Sequence, residues 1–407
     1  MHFKLTTQLN RFKTILPLSS IPLDFFAMGR YNKNRYLFRK DIDMQNEMLN
    51  FTVGPVTIPE HIRAMGNEPV PYFRTAEFSA LMKENESMLL SLADAPKNAR
   101  AVFLTGSGTF AMEAAVANLL SERDRALIIN GGSFGARFSQ LCDLYHIDHT
   151  DIVLEAGKAL RAEHLSPYAG KGYTALLVNL HETSTGVLYD INLLSDFCKK
   201  QGLLFIVDAI SAFLADEIHM ESAGIDALIA SSQKALALAP GLSMIVMSQD
   251  ALARVEENRV ASLYLDLADA LRNMERGQTP FTPAVGLLIQ LHRRLSDIVA
   301  VGIDQERAKI KDLAEDFRAR IAASDLPFVP FAEHPSNAVT ALRMTGSTSA
   351  HALFEILKDQ YNIWICPNGG ALRDSVFRVG HLGALTAKNN EALLAAFADC
   401  KRKGLIG

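Results

Sequence analysis

Between about residue 100 and residue 250, short apolar runs alternate with segments of helical periodicity. The runs are flanked by glycine or polar residues, which is typical of buried strands. They cover residues 101–104, 126–129, 175–180, 203–209, 227–231 and 243–247. Because strands that are apolar on both faces need helices on each side, the pattern predicts an α/β fold with a mostly parallel sheet between helices. Ligands of such sheets bind at the carboxyl ends of the strands.

Two long helical patterns, at 285–302 and 304–324, separate this region from a smaller α/β segment. That segment combines strand and helix patterns from residue 338 to the C-terminus. We interpret residues 49–290 as a large domain and residues 291–407 as a small C-terminal α/β domain.

The first 48 residues have a different composition. Through Lys40 they contain eight lysines or arginines and a single acid, Asp24. Three interpretations fit an acid-poor stretch of this kind: a flexible basic extension, a transit-like leader, or upstream sequence read from too early a start. We favour the third, in which the native protein begins at Met44 or Met48.

Composition excludes several classes of protein. The 407 residues have a net charge of −4 and no long basic run in the body of the chain, so nucleic acid is not predicted as a partner. No apolar run approaches the length of a membrane helix, so a membrane is not predicted either. The four cysteines lack CxxC spacing, which argues against a zinc ribbon or a disulfide framework. We therefore expect no metal and a reducing compartment, the cytoplasm.

Lys234 is an isolated charge in a long apolar segment. No other Asp, Glu, Lys or Arg occurs between Asp226 and Asp250. A buried, unpaired ammonium is costly and usually has a lowered pKa. A lysine that must act as a neutral amine nucleophile has a reason to be there, whereas a lysine snorkelling from a strand end is the structural alternative.

Two further motifs follow predicted strands. The turn Gly106-Ser107-Gly108-Thr109 precedes a helix and could bind a phosphate through backbone N–H groups and hydroxyls, although a plain turn capped by Thr109 is equally compatible. It is not a dinucleotide fingerprint, because Ala111 stands where that motif needs glycine. Asp208 ends the hydrophobic strand that begins at residue 203, and there it could pair with a protonated ring nitrogen or simply cap a helix.

Together these three features fit pyridoxal 5′-phosphate (PLP). Its phosphate would lie at the helix N-terminus, its pyridine nitrogen beside Asp208, and its aldehyde on Lys234 as a Schiff base. Neighbouring parallel strands would place Asp208 and Lys234 at the same edge of the sheet.

The motifs also resemble those of a known family. From about Leu49 onward, the chain resembles the class V, fold-type I PLP aminotransferases, especially the 2-aminoethylphosphonate–pyruvate and alanine–glyoxylate (serine–pyruvate) transaminases. "GSGTFAMEA" is close to the phosphonate enzymes, and "ETSTGVL" and "SQKAL" are closer to the alanine–glyoxylate enzymes. "SLYLDL", "FTP" and "FRVGHLGAL" fit both.

The resemblance implies a role for each matching position around the cofactor. An aromatic ring stacks on the pyridine, and an ordinary core phenylalanine is the alternative there. The implied residues are Ser107, Gly108, Thr109 and Gln233 for the phosphate, Phe134 for stacking, Thr183 for the ring hydroxyl, Asp208 for the pyridinium and Lys234 for the covalent bond and proton transfer.

Two implied positions concern the substrate and the assembly. Arg378 would clamp the substrate carboxylate, with a surface ion pair as the alternative. Thr282 would reach the phosphate of a neighbouring subunit, so the resemblance implies a homodimer with shared active sites. Arg74 is a weaker candidate for a second anion binder, and structural pairing with an acid is its alternative.

Other chemistries compete with transamination. A cysteine desulfurase needs a mobile cysteine, and Cys366 is near the right part of the chain, but we expect it in a buried strand. Desulfurases also carry histidines where this chain has Gln233 and Phe134. A non-catalytic PLP-binding protein would be expected to lose Lys234, Asp208 or Arg378. A nicotinamide dehydrogenase lacks support because GxGxxG is absent.

The substrates are expected to be a small amine and a small 2-oxo acid. The first choice is 2-aminoethylphosphonate with pyruvate, and the alternative is an alanine–glyoxylate or serine–pyruvate pair. The motifs that separate the two groups contact the cofactor, and "CPNGG" at 366–370 departs from the family's usual turn.

Overall fold

The computed structural model describes residues 48–407. The interpretations of the N-terminal stretch, including a start at Met44, concern residues that lie outside this range. Numbered in chain order, the described strands are β1 (Leu49–Asn50), β2 (Arg100–Thr105), β3 (Arg125–Asn130), β4 (Asp148–Val153), β5 (Ala175–Asn179), β6 (His181–Glu182), β7 (Val187–Leu188), β8 (Leu204–Asp208), β9 (Ala227–Ser231), β10 (Leu242–Met247), β11 (Phe328–Pro330), β12 (Val339–Met344), β13 (Ile363–Trp364), β14 (Cys366–Pro367) and β15 (Val376–Gly380).

The α-helices between them vary from one turn to more than five turns. They are α1 (Glu60–Ala64), α2 (Ala76–Leu92), α3 (Gly108–Leu119), α4 (Gly135–Leu144), α5 (Ala162–Leu165), α6 (Ile191–Gln201), α7 (Met220–Ala223), α8 (Gln249–Glu257), α9 (Leu267–Met274), α10 (Val285–Val301), α11 (Ile303–Ala322), α12 (Ala350–Tyr361) and α13 (Ala387–Arg402). No helix among residues 48–407 is long and apolar enough to cross a membrane.

A seven-stranded sheet forms the centre of the large domain, in the order β2-β10-β9-β8-β5-β3-β4. Its neighbours pair in parallel from β9 to β4, whereas β10 runs antiparallel to both β2 and β9. Alternate side chains of β3 enter two different hydrophobic clusters, Leu127 and Ile129 in one and Ala126 and Ile128 in the other. The predicted mostly parallel sheet, covered on both faces, is therefore confirmed.

A four-stranded antiparallel sheet, in the order β11-β12-β15-β14, carries a separate core with α11, α12 and α13. Phe317, Phe377 and Phe397 are fully buried in that core. The proposed domain boundary at residue 290 falls inside α10, whose Leu291 and Leu295 pack in the core of the large sheet. The division into residues 49–290 and 291–407 stays a prediction.

The segment from Leu49 to Thr57 connects the small sheet to the edge of the large one. β1 pairs in parallel with β13, and Phe51 O accepts a hydrogen bond from Gly380 N at 2.7 Å. Thr57 O accepts another from Ala384 N at 2.9 Å. Between these two anchors, Val53 and Gly54 pass beside Lys234.

Candidate active site

The carboxyl ends of β2, β3, β5, β8 and β9 meet at one edge of the large sheet. A cavity opens there, and eight of the ten predicted site residues line it. The lining residues are Ser107, Gly108, Thr109, Phe134, Arg137, Asn179, Thr183, Asp208, Ile210, Ser211, Gln233 and Lys234. The two predicted residues outside this lining are Thr282 and Arg378.

The Gly-Ser-Gly-Thr turn places the start of α3 against this cavity. Ser107 is the N-cap residue, and its side chain makes no capping hydrogen bond. Thr109 lies inside the first turn of α3, so the expectation that Thr109 caps the turn is wrong. A Cβ at Gly108 would lie 2.3 Å from Ile210 Cδ1, and glycine therefore lets α3 approach the loop after β8 closely. The first N–H groups of a helix lack partners within it, which makes this corner suitable for an anion.

Asp208, the last residue of β8, is 1% exposed. Its Oδ1 accepts a hydrogen bond from Ile210 N at 2.9 Å, and its Oδ2 accepts one from Asn179 Nδ2 at 2.6 Å. The residues that follow form turns instead of a helix, so the alternative role as a helix N-cap is wrong. Burial raises the pKa of Asp208 to about 6, while the two donated hydrogen bonds act in the opposite direction.

Lys234 lies in the turn after β9 and is 8% exposed, so the predicted burial is confirmed and the snorkelling alternative is wrong. Its Nζ donates to Val53 O at 2.5 Å. Burial lowers the pKa of Lys234 to about 8, and the charges of Cys366 and Asp208 partly offset this effect. An amine with this pKa is neutral in a useful fraction of molecules near neutral pH, as a nucleophile or proton acceptor must be.

Phe134 immediately precedes α4 and is partly buried at the cavity. The buried Glu182 carboxylate fixes this helix start, because it accepts hydrogen bonds from Phe134 N at 3.2 Å and Gly135 N at 2.9 Å. On the next turn, the Arg137 guanidinium lies 4.9 Å from the centre of the Phe134 ring. Glu182 thus fixes the backbone at Phe134, and Arg137 contacts the ring itself beside the cavity.

Arg378 reaches the site from β15 of the small sheet and is 8% exposed, so its alternative as a surface ion pair is wrong. Its Nη1 donates to Thr183 O at 3.0 Å and its Nη2 donates to Pro367 O at 2.7 Å. Its Nε is buried without a partner among the described residues. The Thr183 hydroxyl is 2.7 Å from the Ser211 hydroxyl. Arg378 therefore borders the residues that line the cavity.

The class V aminotransferase family model matches residues 70–371. The chain belongs to this family. An L-aspartate–glyoxylate aminotransferase from Paracoccus denitrificans is 30% identical over 83% of this chain and 86% of its own length. A 2-aminoethylphosphonate–pyruvate transaminase from Burkholderia thailandensis is 30% identical over 80% of this chain and 89% of its own length.

The fold of this class V aminotransferase agrees with solved structures. An alanine–glyoxylate aminotransferase from Nostoc sp. superposes with a TM-score of 0.81 at 25% identity, covering 86% of this chain and 94% of that one. The predicted fold-type I architecture is confirmed. The protein is a PLP-dependent transaminase.

The cavity of this aminotransferase fits PLP chemically. It combines hydroxyls at a helix N-terminus, a buried carboxylate, an aromatic ring and a buried amine. The Asn179 Oδ1 atom in the lining is buried and has no partner within the described part of the chain, so a ligand can supply one. When bound, PLP supplies a ring that accepts electrons from the reacting carbon.

The remaining predicted residues have mixed positions. The Gln233 Oε1 accepts a hydrogen bond from Ser231 Oγ at 2.5 Å, beside the proposed phosphate corner. Thr282 is exposed and lines a different cavity, together with Tyr264 and Phe281.

Arg74 and Cys366 differ from their sequence interpretations. The Arg74 guanidinium donates to Thr279 O at 2.8 Å and to Gln278 Oε1 at 3.1 Å, so its partners are a carbonyl and an amide instead of an acid. Cys366 is partly exposed, whereas its neighbour Ile365 is fully buried. The expected buried position of Cys366 is therefore wrong, because β14 is a two-residue strand at the rim of the small sheet.

Sequence reasoning missed four residues around this site: Arg137, Asn179, His181 and Glu182. Burial lowers the pKa of His181 to about 3, and both of its ring nitrogens lack partners among residues 48–407. Asn179 could have been found, because it is the polar residue near the end of the apolar run at 175–180, as Asp208 is near the end of the run at 203–209. Nothing in the sequence marks Glu182 as the acid that holds the start of α4.

Proposed function

We propose that this aminotransferase moves an amino group from a small amine to a small 2-oxo acid in the cavity around Lys234. The observation that carries the proposal is the pairing of a buried amine of lowered pKa with a buried carboxylate at neighbouring strand ends. Because one group is an amine and the other a carboxylate, the two can perform different tasks. Lys234 moves protons, and Asp208 stabilises positive charge.

We infer the cofactor-binding roles from positions in the cavity. The helix start at α3 is the corner suited to a dianion, and Asp208 is the anion available to a cationic ring nitrogen. The proposed roles are phosphate binding for Ser107, Gly108, Thr109 and Gln233, stacking for Phe134, a hydrogen bond to the ring hydroxyl for Thr183, charge pairing for Asp208 and covalent attachment for Lys234.

Arg378 is proposed to bind the acidic group of the substrate. Its two terminal nitrogens already donate to carbonyl groups, which fixes the plane of the guanidinium, and the buried Nε has no described partner. A planar carboxylate, such as that of the 2-oxo acid, can approach such a preorganised fork with little loss of side-chain freedom. The small sheet would thereby orient the substrate for the large one.

For the substrates, we propose 2-aminoethylphosphonate as donor and pyruvate as acceptor. The "GSGTFAMEA" motif supports this choice, and so does the relative from Burkholderia thailandensis, whose name states that reaction. The second candidate is an alanine–glyoxylate or serine–pyruvate reaction. The "ETSTGVL" motif and the Nostoc enzyme favour it.

We also propose a homodimer with shared sites. Leu263 is 78% exposed, Tyr264 is 49% exposed and Phe281 is 37% exposed, and the last two rings stack at 5.3 Å. These side chains line the same cavity as Thr282. A second copy of the chain would cover them and bring Thr282 to the partner's cavity.

The test is the near-visible absorption of the protein loaded with PLP, recorded before and after single additions of amines. The amines are 2-aminoethylphosphonate, L-alanine, L-serine and L-cysteine. We expect 2-aminoethylphosphonate to bleach the cofactor band and pyruvate to restore it. Bleaching by alanine or serine alone would replace the first donor with the second candidate. A protein that shows no such band after PLP is added would contradict the proposal.

A further inference from the structure

Asn179 and Asp208 end two adjacent strands at the same level. β5 and β8 are parallel neighbours, and Asn179 is the register partner of Asp208. Residues in register on adjacent strands direct their side chains to the same face, so the two side chains lie next to each other. The contact between them is therefore a consequence of two neighbouring strands, β5 and β8, that end in Asn and Asp.

The hydrogen bond between them has only one possible direction. An ionised carboxylate can only accept, so the Asn179 amide must turn its Nδ2 toward Asp208, at 2.6 Å. The Oδ1 atom then faces away and has no partner among the described residues. Both side chains are almost fully buried, at 2% and 1% exposure, and water cannot readily replace this donor.

The surroundings of Asp208 disfavour its ionised form, so a hydrogen-bond donor beside it is needed to keep it ionised. Burial raises the pKa of Asp208, and so does the charge of the nearby Glu182. Lys234, Ile210 N and Asn179 act in the opposite direction. Lys234 becomes neutral near pH 8, and a neutral amine no longer stabilises the ionised form of Asp208. The amide of Asn179, in contrast, donates its hydrogen bond at every pH.

We propose that Asn179 is a positioning residue that holds Asp208 ionised and correctly oriented to receive the cationic ring nitrogen of the cofactor. The inference rests on the role proposed above for Asp208. Its two oxygens are divided between Ile210 N and Asn179 Nδ2, which fixes the carboxylate plane. Each oxygen keeps a further lone pair, so a ring N–H can still bind.

The experiment measures binding of pyridoxamine 5′-phosphate to the cofactor-free protein by equilibrium dialysis from pH 5 to pH 8.5. This ligand has the ring and phosphate of PLP but no aldehyde, so covalent bonding to Lys234 does not contribute. The variants are N179L, which keeps the approximate shape and loses the amide donor, and N179D, which also places a second acid beside Asp208 and should raise the midpoint at least as far. N118L is the matched control, because Asn118 is also buried and donates to Ala114 O and Leu265 O, outside the cavity lining.

We expect wild-type affinity to fall as the pH decreases through about 6, where Asp208 becomes protonated. In N179L and N179D the midpoint should rise by about one pH unit or more, and affinity at pH 6.5 should fall roughly tenfold. N118L should lose thermal stability and keep the wild-type midpoint. Unchanged midpoints in both Asn179 variants would overturn the inference.

A D208N variant separates the two proposals. If D208N binds pyridoxamine 5′-phosphate with wild-type affinity at pH 7, the proposed role of Asp208 fails, and the inference about Asn179 fails with it. If D208N weakens binding at least about tenfold while N179L keeps the wild-type midpoint, the inference about Asn179 alone is wrong.

Discussion

The burial of Lys234 lowers the free energy of unfolding, and the size of this effect depends on pH. The pKa of this amine is 10.5 in the unfolded reference and about 8 in the folded protein. Between these values the unfolded chain binds more protons, so the contribution of Lys234 to stability increases as pH rises through this window. At pH 7 both states carry the proton, and the full penalty is present.

A K234M variant of the cofactor-free protein should therefore be more stable than wild type at pH 7, by about 1–3 kcal/mol. The difference should shrink as the pH rises from 8 to 10.5. Urea unfolding of both proteins across this range measures it, with K200M as a control because Lys200 is exposed. The explanation that the buried charge of Lys234 destabilises the fold would be contradicted if K234M were less stable at pH 7, or if the difference in stability did not change with pH.

Residues could be recognised from sequence when their own neighbours made them unusual. Lys234 stands out because no other charge occurs from residue 227 to residue 249, and Asp208 because it ends an apolar run. Glu182 could not be recognised, because its partners Phe134 N and Gly135 N are 48 and 47 residues away, respectively, and are backbone groups. The contacts of Arg378 likewise depend on how two sheets meet.

Strands were predictable from the sequence where burial on both faces made them continuous apolar runs. β5, β8 and β9 are buried along their whole length and appear as continuous apolar runs. β4 was missed because "DHTDIV" is mostly polar: it is the edge strand, and most of its residues are at least partly exposed. The antiparallel direction of β10 was also missed, because an apolar run does not specify the direction of its strand.

The C-terminus of α6 gives a prediction at this scale. Gly202 follows the helix at φ +65°, and a Cβ there would meet nothing within 4 Å. G202A should therefore lower the free energy of unfolding by about 1 kcal/mol through backbone conformation alone. Chemical denaturation measures the loss. The control is G369A, whose Cβ also meets nothing but whose φ is −117°, and an equal loss in that variant would contradict the explanation.

At the scale of the whole molecule, the described chain contains most of a site and an exposed apolar surface next to Thr282. If sites are shared, Lys234 of one subunit acts with Thr282 of the other. T282V should then weaken PLP binding roughly tenfold, because a phosphate would lose one hydrogen-bond donor. K234A should lack activity altogether.

Mixing these two variants tests the assembly. A mixed dimer has one site with both substitutions and one site with neither. When equal amounts reassort at random, half of the dimers are mixed and each mixed dimer has one intact site of two. Activity at limiting PLP should therefore be restored to about one quarter of the wild-type value, which is above the activity of either parent variant. Sedimentation measures the dimer directly. Activity that never exceeds the average of the two parents would show that each subunit uses its own Thr282.

The segment from Leu49 to Thr57 also affects when the active site can be completed during translation. The ribosome produces this segment early, yet its partners Ile363 and Trp364 emerge about 300 residues later. The large sheet can form in the meantime, since its strands end at Met247. Val53 can be anchored beside Lys234 only after β13 and β15 have been translated. A nascent chain stalled before that point would carry every strand of the large sheet and still lack a finished active site.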